Sequence, residues 1–434
     1  SPVIFANIKK ETNHPCEIIV HLYLRYGMDY TLNIIEGYVS FVLLDNTDLE
    51  SYPKIYVARD PLGTTPLWIL SENTDMVMLD NKEKKHDHFI AISSNELYLK
   101  RLIDSKNQDQ NQYYESVQKL RIKQFRPGSY ICYTHSEKTC TVWESKDKYI
   151  NYYSYPMPQY ISIPHTQNIS CSSDVHLIYL LDYFKNCMRE CKYALNNDMS
   201  NVYFRLDGDV ASIILLTIAK VFYKKTLKTF TCGPTNAPWF EEARNISNAF
   251  ATEHIEITIS KNVGKKKGDD SYLSANDIIT KEKLEGYTTA RHLSKYTNIK
   301  CVVLPIGAHI WQQNNDSDMW MNNKMMRENM KKYVSNKASV YMNEFWKQNI
   351  KTSAPFIDRK MIDIFVTLGM EHDIHVRGII MRLGQLLGAA SILNHKKEVT
   401  DQSNEWQYVN KISQNKIPSV TVVHKNSKNA LLYC

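Results

Sequence analysis

NVYFRLDGDVASIILLTIAKVFYKKTLKTFTCG, residues 201–233, reads as strand, turn, helix and strand in succession. The short apolar run VYF stops at Asp207-Gly208-Asp209, the text after it is apolar for too long to be a strand, and KTFTC is again β-like. Working outward, the alternation continues as helix 176–194, strand 201–206, helix 211–223, strand 228–232, helix 239–250, strand 254–259, helix 275–296 and strand 300–305, followed by mostly helical text to about 396. This is βαβ grammar and predicts a Rossmann-like parallel sheet covered on both faces. Ligands of such sheets bind at the carboxyl ends of the strands, so the turns after 201–206, 228–232 and 300–305 are where chemistry is expected.

The first third of the chain follows another rule. Short β-like segments at 37–45, 54–60, 89–94, 128–134 and 139–144 predict an antiparallel, hairpin-rich domain over 1–145. Residues 146–175 carry Tyr and Pro without helical period and predict an extended linker, with the parallel domain over 176–434. The expected fold class is therefore α/β with two domains.

Composition removes several function classes. Hydrophobic residues at 43% and charged residues at 23% are ordinary globular usage. No apolar run is long enough to cross a bilayer, and residues 1–17 lack a signal-peptide core. Residue 1 is Ser, so a targeting segment for organelle import is left open, as is assembly in a virus. Nine cysteines without a CxxC predict reduced thiols and a soluble protein of a reducing compartment. A net charge of +7, with its main basic run at Lys265-Lys266-Lys267 between two glycines, does not predict nucleic-acid binding. The 14 glycines, about half the usual share, contain neither GxGxxG nor GxxxxGK[ST], which excludes a standard dinucleotide site or P-loop.

Five strings in order resemble one family, the glutamine-hydrolysing asparagine synthetases. They are ARDPLGTTPLW at 58–68, SNELYLKRL at 94–102, IKQFRPGSY at 122–130, LKTFTCGPTNAPWFEEARNISNAFATEHIEITI at 227–259 and SAPFIDRKMID at 353–363. The resemblance implies an N-terminal-nucleophile glutaminase domain, an α/β sandwich here incomplete, and a PP-loop pyrophosphatase-type synthetase domain that uses ATP and Mg²⁺ to adenylate aspartate.

The family's site positions, transferred one by one, have changed. Its nucleophile is a mature N-terminal Cys; Ser1 lies too late in the domain for that strand. The glutamine-gripping string falls on Pro15-Cys16-Glu17, with Pro15 where an Asp would stand and Cys16 expected as a buried small side chain. The family's Ser-Gly-Gly-x-Asp-Ser-Ser becomes Leu206-Asp207-Gly208-Asp209-Val210-Ala211-Ser212, which puts two carboxylates where phosphates would lie. The bland reading of the same string is that Asp207 or Asp209 caps the following helix. The family's second glycine-rich, acidic loop becomes Gly307-Ala308-His309-Ile310, where an imidazole and an alkyl chain stand at the Mg²⁺-binding carboxylates. Asp316 and Asp318 read as a solvated loop. Lys351 replaces the family's proton-handling carboxylate, and the pyrophosphate-neutralising Lys falls near His375 or Arg377.

The sequence thus predicts an asparagine synthetase-like pseudoenzyme with no catalytic residues, no metal and no cofactor, retained as a structural subunit beside other protein subunits or itself as a homodimer. Tyr-rich text such as 149–160 is the expected contact surface. Two alternatives stay open: an active amide ligase with a rebuilt phosphate loop, and a sensor binding a small ligand in the old cleft.

Overall fold

The computed structural model describes residues 14–47, 53–73, 87–108, 120–135, 143–145, 150–151, 172–195, 198–223, 225–234, 237–259, 280–311, 329–362, 380, 383, 384 and 387. His375, Arg377, Asp316, Asp318, Ser1 and most of 146–171 lie outside them. The chain divides into two compact units, Ser1–Ser154 and Tyr155–Cys434.

The first unit opens with α1 (Pro15–Ile34), a helix absent from the sequence reading. Pro15 suits a first helical position, where no N–H is needed, and the His14 side chain accepts from the Cys16 N–H at 3.3 Å. Strands β1 (Ser40–Asp45), β2 (Lys54–Arg59), β3 (Trp68–Asn73), β4 (Asp87–Ser93), β5 (Leu120–Gln124), β6 (Ser129–His135), β7 (Trp143–Ser145) and β8 (Ile150–Asn151) pair antiparallel, and α2 (Glu96–Gln108) packs on β3, β4 and β5. Their order is β1-β2-β6-β7-β4-β3-β5, with β8 beside β6.

Alternation decides what each face covers. Val57, Ile131 and Tyr133 turn from β2 and β6 toward Leu67, Ile69 and Phe125 and form one core between the two ends of the sheet. Their neighbours Ala58 and Tyr130 turn the other way, with Leu43, onto Met28 and Leu32 of α1. Among the described residues, six of the eight large exposed apolar side chains lie on α1 and β1: Val20, Leu24, Tyr26, Tyr30, Val42 and Leu44.

The ARDPLGTTP block explains itself as architecture. Arg59 is fully buried and donates to the carbonyls of Thr65, Phe125 and Gly63 at 2.7–2.8 Å. Asp60 accepts from the N–H groups of Leu62, Thr64 and Thr65 and from the Thr65 hydroxyl. Burial pushes the Arg59 guanidinium down to about 10, against the pull of Asp60.

The second unit runs α3 (Ser172–Ala194), β9 (Val202–Arg205), α4 (Val210–Tyr223), β10 (Lys228–Gly233), α5 (Trp239–Phe250), β11 (Glu253–Thr258), α6 (Lys281–Tyr296), β12 (Cys301–Val303), α7 (Ala308–Trp311), a π-helical turn at Val334–Ala338, α8 (Ser339–Trp346) and β13 (Lys351–Ser353). The five strands are parallel in the order β11-β10-β9-β12-β13. Helix α4 is buried on nearly every side, as its continuous apolar text requires.

Other elements differ from the sequence reading in bounds or type. Helix α3 begins at Ser172 and β8 occupies 150–151, both inside the stretch read as linker. The helix expected over 275–296 is described from Lys281, after a Thr280 cap that accepts from the Lys283 N–H. Residues 351–353, read within helical text, form a strand beside β12. From β9 the chain moves outward to β10 and β11 and then returns to place β12 on the other side of β9. The crevice at the carboxyl ends of β9 and β12 is therefore the switch point of the sheet.

Candidate functional site

Strand β9 ends at Arg205, and the turn 206–209 delivers the chain into α4. Leu206 is buried in the sheet, its N–H donating to the Phe230 carbonyl at 2.8 Å and its carbonyl accepting from the Thr231 hydroxyl at 2.9 Å. Asp209 is the residue that caps α4. Its Oδ1 accepts from the Ser212 N–H at 2.9 Å and the Ser212 hydroxyl at 2.7 Å, while Ser212 Oγ accepts from the Asp207 N–H at 3.1 Å. Val210 and Ala211 supply the first helical residues, Ala211 fully buried. Gly208 has φ +74°, and a Cβ added there would lie 2.5 Å from Glu242 Oε2.

Of the two carboxylates of this turn, Asp207 is met by Arg205. Its Nε donates to Asp207 Oδ1 at 2.6 Å and its Nη2 to Glu285 Oε1 at 2.8 Å, and the guanidinium lies 4.9 Å from the centre of the Tyr341 ring. Burial alone would lower the Arg205 pKa; Asp207 and the other nearby acidic groups outweigh it and hold the group charged. Burial first, and Asp207 second, push Asp209 up to about 6. Cys232, at the end of β10, donates from Sγ to Glu285 Oε1 at 3.3 Å, and burial pushes its thiol up to about 12. The Trp239 indole N–H is bonded to the Cys232 carbonyl at 3.1 Å, with the ring against Gly233. Arg205, Asp207, Cys232, Gly233, Trp239 and Glu285 share a cleft of about 360 Å³.

The second loop closes differently. Gly307 has φ +90°, and a Cβ there would lie 2.2 Å from Ile357 Cγ2, so the apolar side chain following β13 already packs on the loop backbone. Ala308 and Ile310 are buried. His309 meets Tyr333 edge-on with ring centres 4.7 Å apart, and desolvation and then Lys337 hold its imidazole below the ordinary value. Lys351 is exposed at the start of β13. Among the described residues no group of three or more His, Cys, Asp or Glu side chains is placed to hold a metal ion.

Pro15, Cys16 and Glu17 belong to the first unit, in the opening turn of α1. Cys16 is exposed, which corrects its expected burial: it faces water from a helix end that the sequence reading had not placed. Glu17 lies 3.5 Å from His21, one turn on. Sequence reasoning missed Arg205, Trp239, Glu242, Glu285 and Tyr341. A charge at the end of a parallel strand was a signal for Arg205; Glu242, Glu285 and Tyr341 carried none, because the groups they meet lie far along the chain.

The glutamine amidotransferase domain family matches residues 5–144. The asparagine synthetase (glutamine-hydrolysing) of Gallus gallus is 24% identical over 291 residues, 65% of this chain and 46% of that protein. Asparagine synthetase (glutamine-hydrolysing) 1 of Arabidopsis thaliana is 44% identical over 63 residues, 14% of this chain and 10% of that protein. The chain spans about half the length of the curated relatives it matches. A solved NMN synthetase from Francisella tularensis aligns at 15% identity over 48% of this chain and 96% of that chain with a TM-score of 0.21, too low to bear on the fold. No helix among the described residues is long and apolar enough to cross a membrane. With an amidotransferase domain match over residues 5–144 and a parallel α/β unit after it, the chain is similar to the glutamine-hydrolysing asparagine synthetases at low identity.

Proposed function

We propose that this asparagine synthetase-like chain makes no asparagine and serves as a structural or interaction subunit, beside other proteins or a second copy of itself. One observation carries the reading: the loop that would have to surround phosphates is closed on itself. The Asp207 N–H and Ser212 N–H are both engaged within the 207–212 turn, and Glu242 fills the space over Gly208. A phosphate site needs free N–H groups and room at a helix N-terminus; this turn offers neither at those two groups and adds carboxylates. The second loop supplies no carboxylate for Mg²⁺ and is packed by Ile357. The residues present therefore do not fit a triphosphate with its cation.

Isothermal titration of the full chain with ATP·Mg²⁺ tests this. The reading expects no heat up to about 1 mM nucleotide, whereas a Kd of about 10 μM or tighter would replace it with that of an amide ligase with a rebuilt loop.

A further inference from the structure

The cleft beside the closed loop is an unusual mixture. Asp207 and Glu285 line it, and Glu242 stands over Gly208 next to Asp207. Against these three carboxylates stand two cations, Arg205, shared between Asp207 and Glu285, and Lys281, exposed at the edge. The charges lining the cleft balance, and Glu242 over Gly208 and Asp209 beside Asp207 add negative charge next to it. Arg205 already lies over the Tyr341 ring, so the aromatic surface left to the cleft is Trp239, a partly exposed indole held in place by its N–H bond to Cys232. Ile259 and Leu284 supply apolar wall. Arg205 engages Asp207 through Oδ1 and leaves Oδ2 to accept a further donor.

An electron-rich ring, a carboxylate with acceptor capacity and a net negative field attract a cation with an apolar body and repel a phosphate. The volume of about 360 Å³ suits a molecule of modest size. We propose that this cleft binds a small organic monocation, a protonated amine on a planar or apolar body, seated against Trp239 with its ammonium beside Asp207. The inference rests on the reading that the neighbouring loop no longer accepts a triphosphate.

Titration calorimetry on the full chain tests it with benzylamine as probe and benzyl alcohol as its uncharged counterpart. Benzylamine is expected to bind in the submillimolar range and the alcohol at least about tenfold more weakly. Trp239→Leu and Asp207→Asn should each weaken benzylamine about fivefold or more, with melting temperatures recorded to show that the variants fold. Lys281→Gln, on an exposed side chain, should tighten it about twofold, which a merely structural role would not do. No heat from wild type at about 10 mM benzylamine, or equal affinity for amine and alcohol, overturns the proposal. If ATP·Mg²⁺ also fails to bind, the non-catalytic reading survives that failure; micromolar ATP·Mg²⁺ binding removes both.

Discussion

Asp209 shows what one side chain can decide. As the α4 cap it uses the Ser212 N–H and hydroxyl, and in doing so it is drawn into a desolvated place beside Asp207. Its proton is held to about pH 6, against an ordinary value of 3.8. Between these limits the folded chain binds more protons than the unfolded one, so stability falls as pH rises through about 4 to 6 and stays lower above that window. Asp209→Asn keeps an oxygen for Ser212 without the charge. It should be more stable than wild type by about 1–3 kcal/mol above pH 7, with the gain gone below pH 4, as read by urea unfolding at both pH values. A pH-independent difference would contradict the assignment. A cap is a local relation spanning three residues, so it was legible in LDGDVAS. For Arg205 only the strand-end charge and nearby Asp207 were local; Glu285 and the Tyr341 ring come from α6 and α8 and left no mark in its neighbourhood.

Elements were legible where their period was long and unopposed. The β9-α4-β10 unit and α5 followed directly from apolar spacing, and α4 is buried as its text demands. What failed was short or mixed: β13 is three residues, KTS, with no period to read, and α1 is broken at Gly27, where φ is +79°. The turn before α7 depends on glycine for two reasons at once, the positive φ of Gly307 and its contact with Ile357. Gly307→Ala should therefore cost about 2–4 kcal/mol, from left-handed strain together with overpacking. Ile357→Ala in the same chain should remove the overpacking part, giving a non-additive double-mutant cycle by chemical denaturation. Strict additivity would show that the contact is not what makes alanine unacceptable.

At the scale of the molecule, each unit carries its own core. Arg59 sits within the first, donating to the carbonyls of Thr65, Phe125 and Gly63. Arg59→Met should lower the stability of that unit by about 3–5 kcal/mol through stranded buried acceptors. Calorimetry should show one of two transitions moving while the second unit's stays in place; a shift of both would mean that the units unfold together. The resemblance to asparagine synthetases was legible because scaffold strings such as ARDPLGTTPLW are dictated by turn and hydrogen-bond geometry that tolerates little change. The cleft was not, since its chemistry depends on side chains brought together only by the finished sheet.

Val20, Leu24, Tyr26, Tyr30, Val42 and Leu44 give α1 and β1 a wetted oily skin. Excluded salts such as sulfate raise the free energy of that skin in contact with water. Ammonium sulfate should salt the chain out early, and dilution into low-salt buffer should redissolve it.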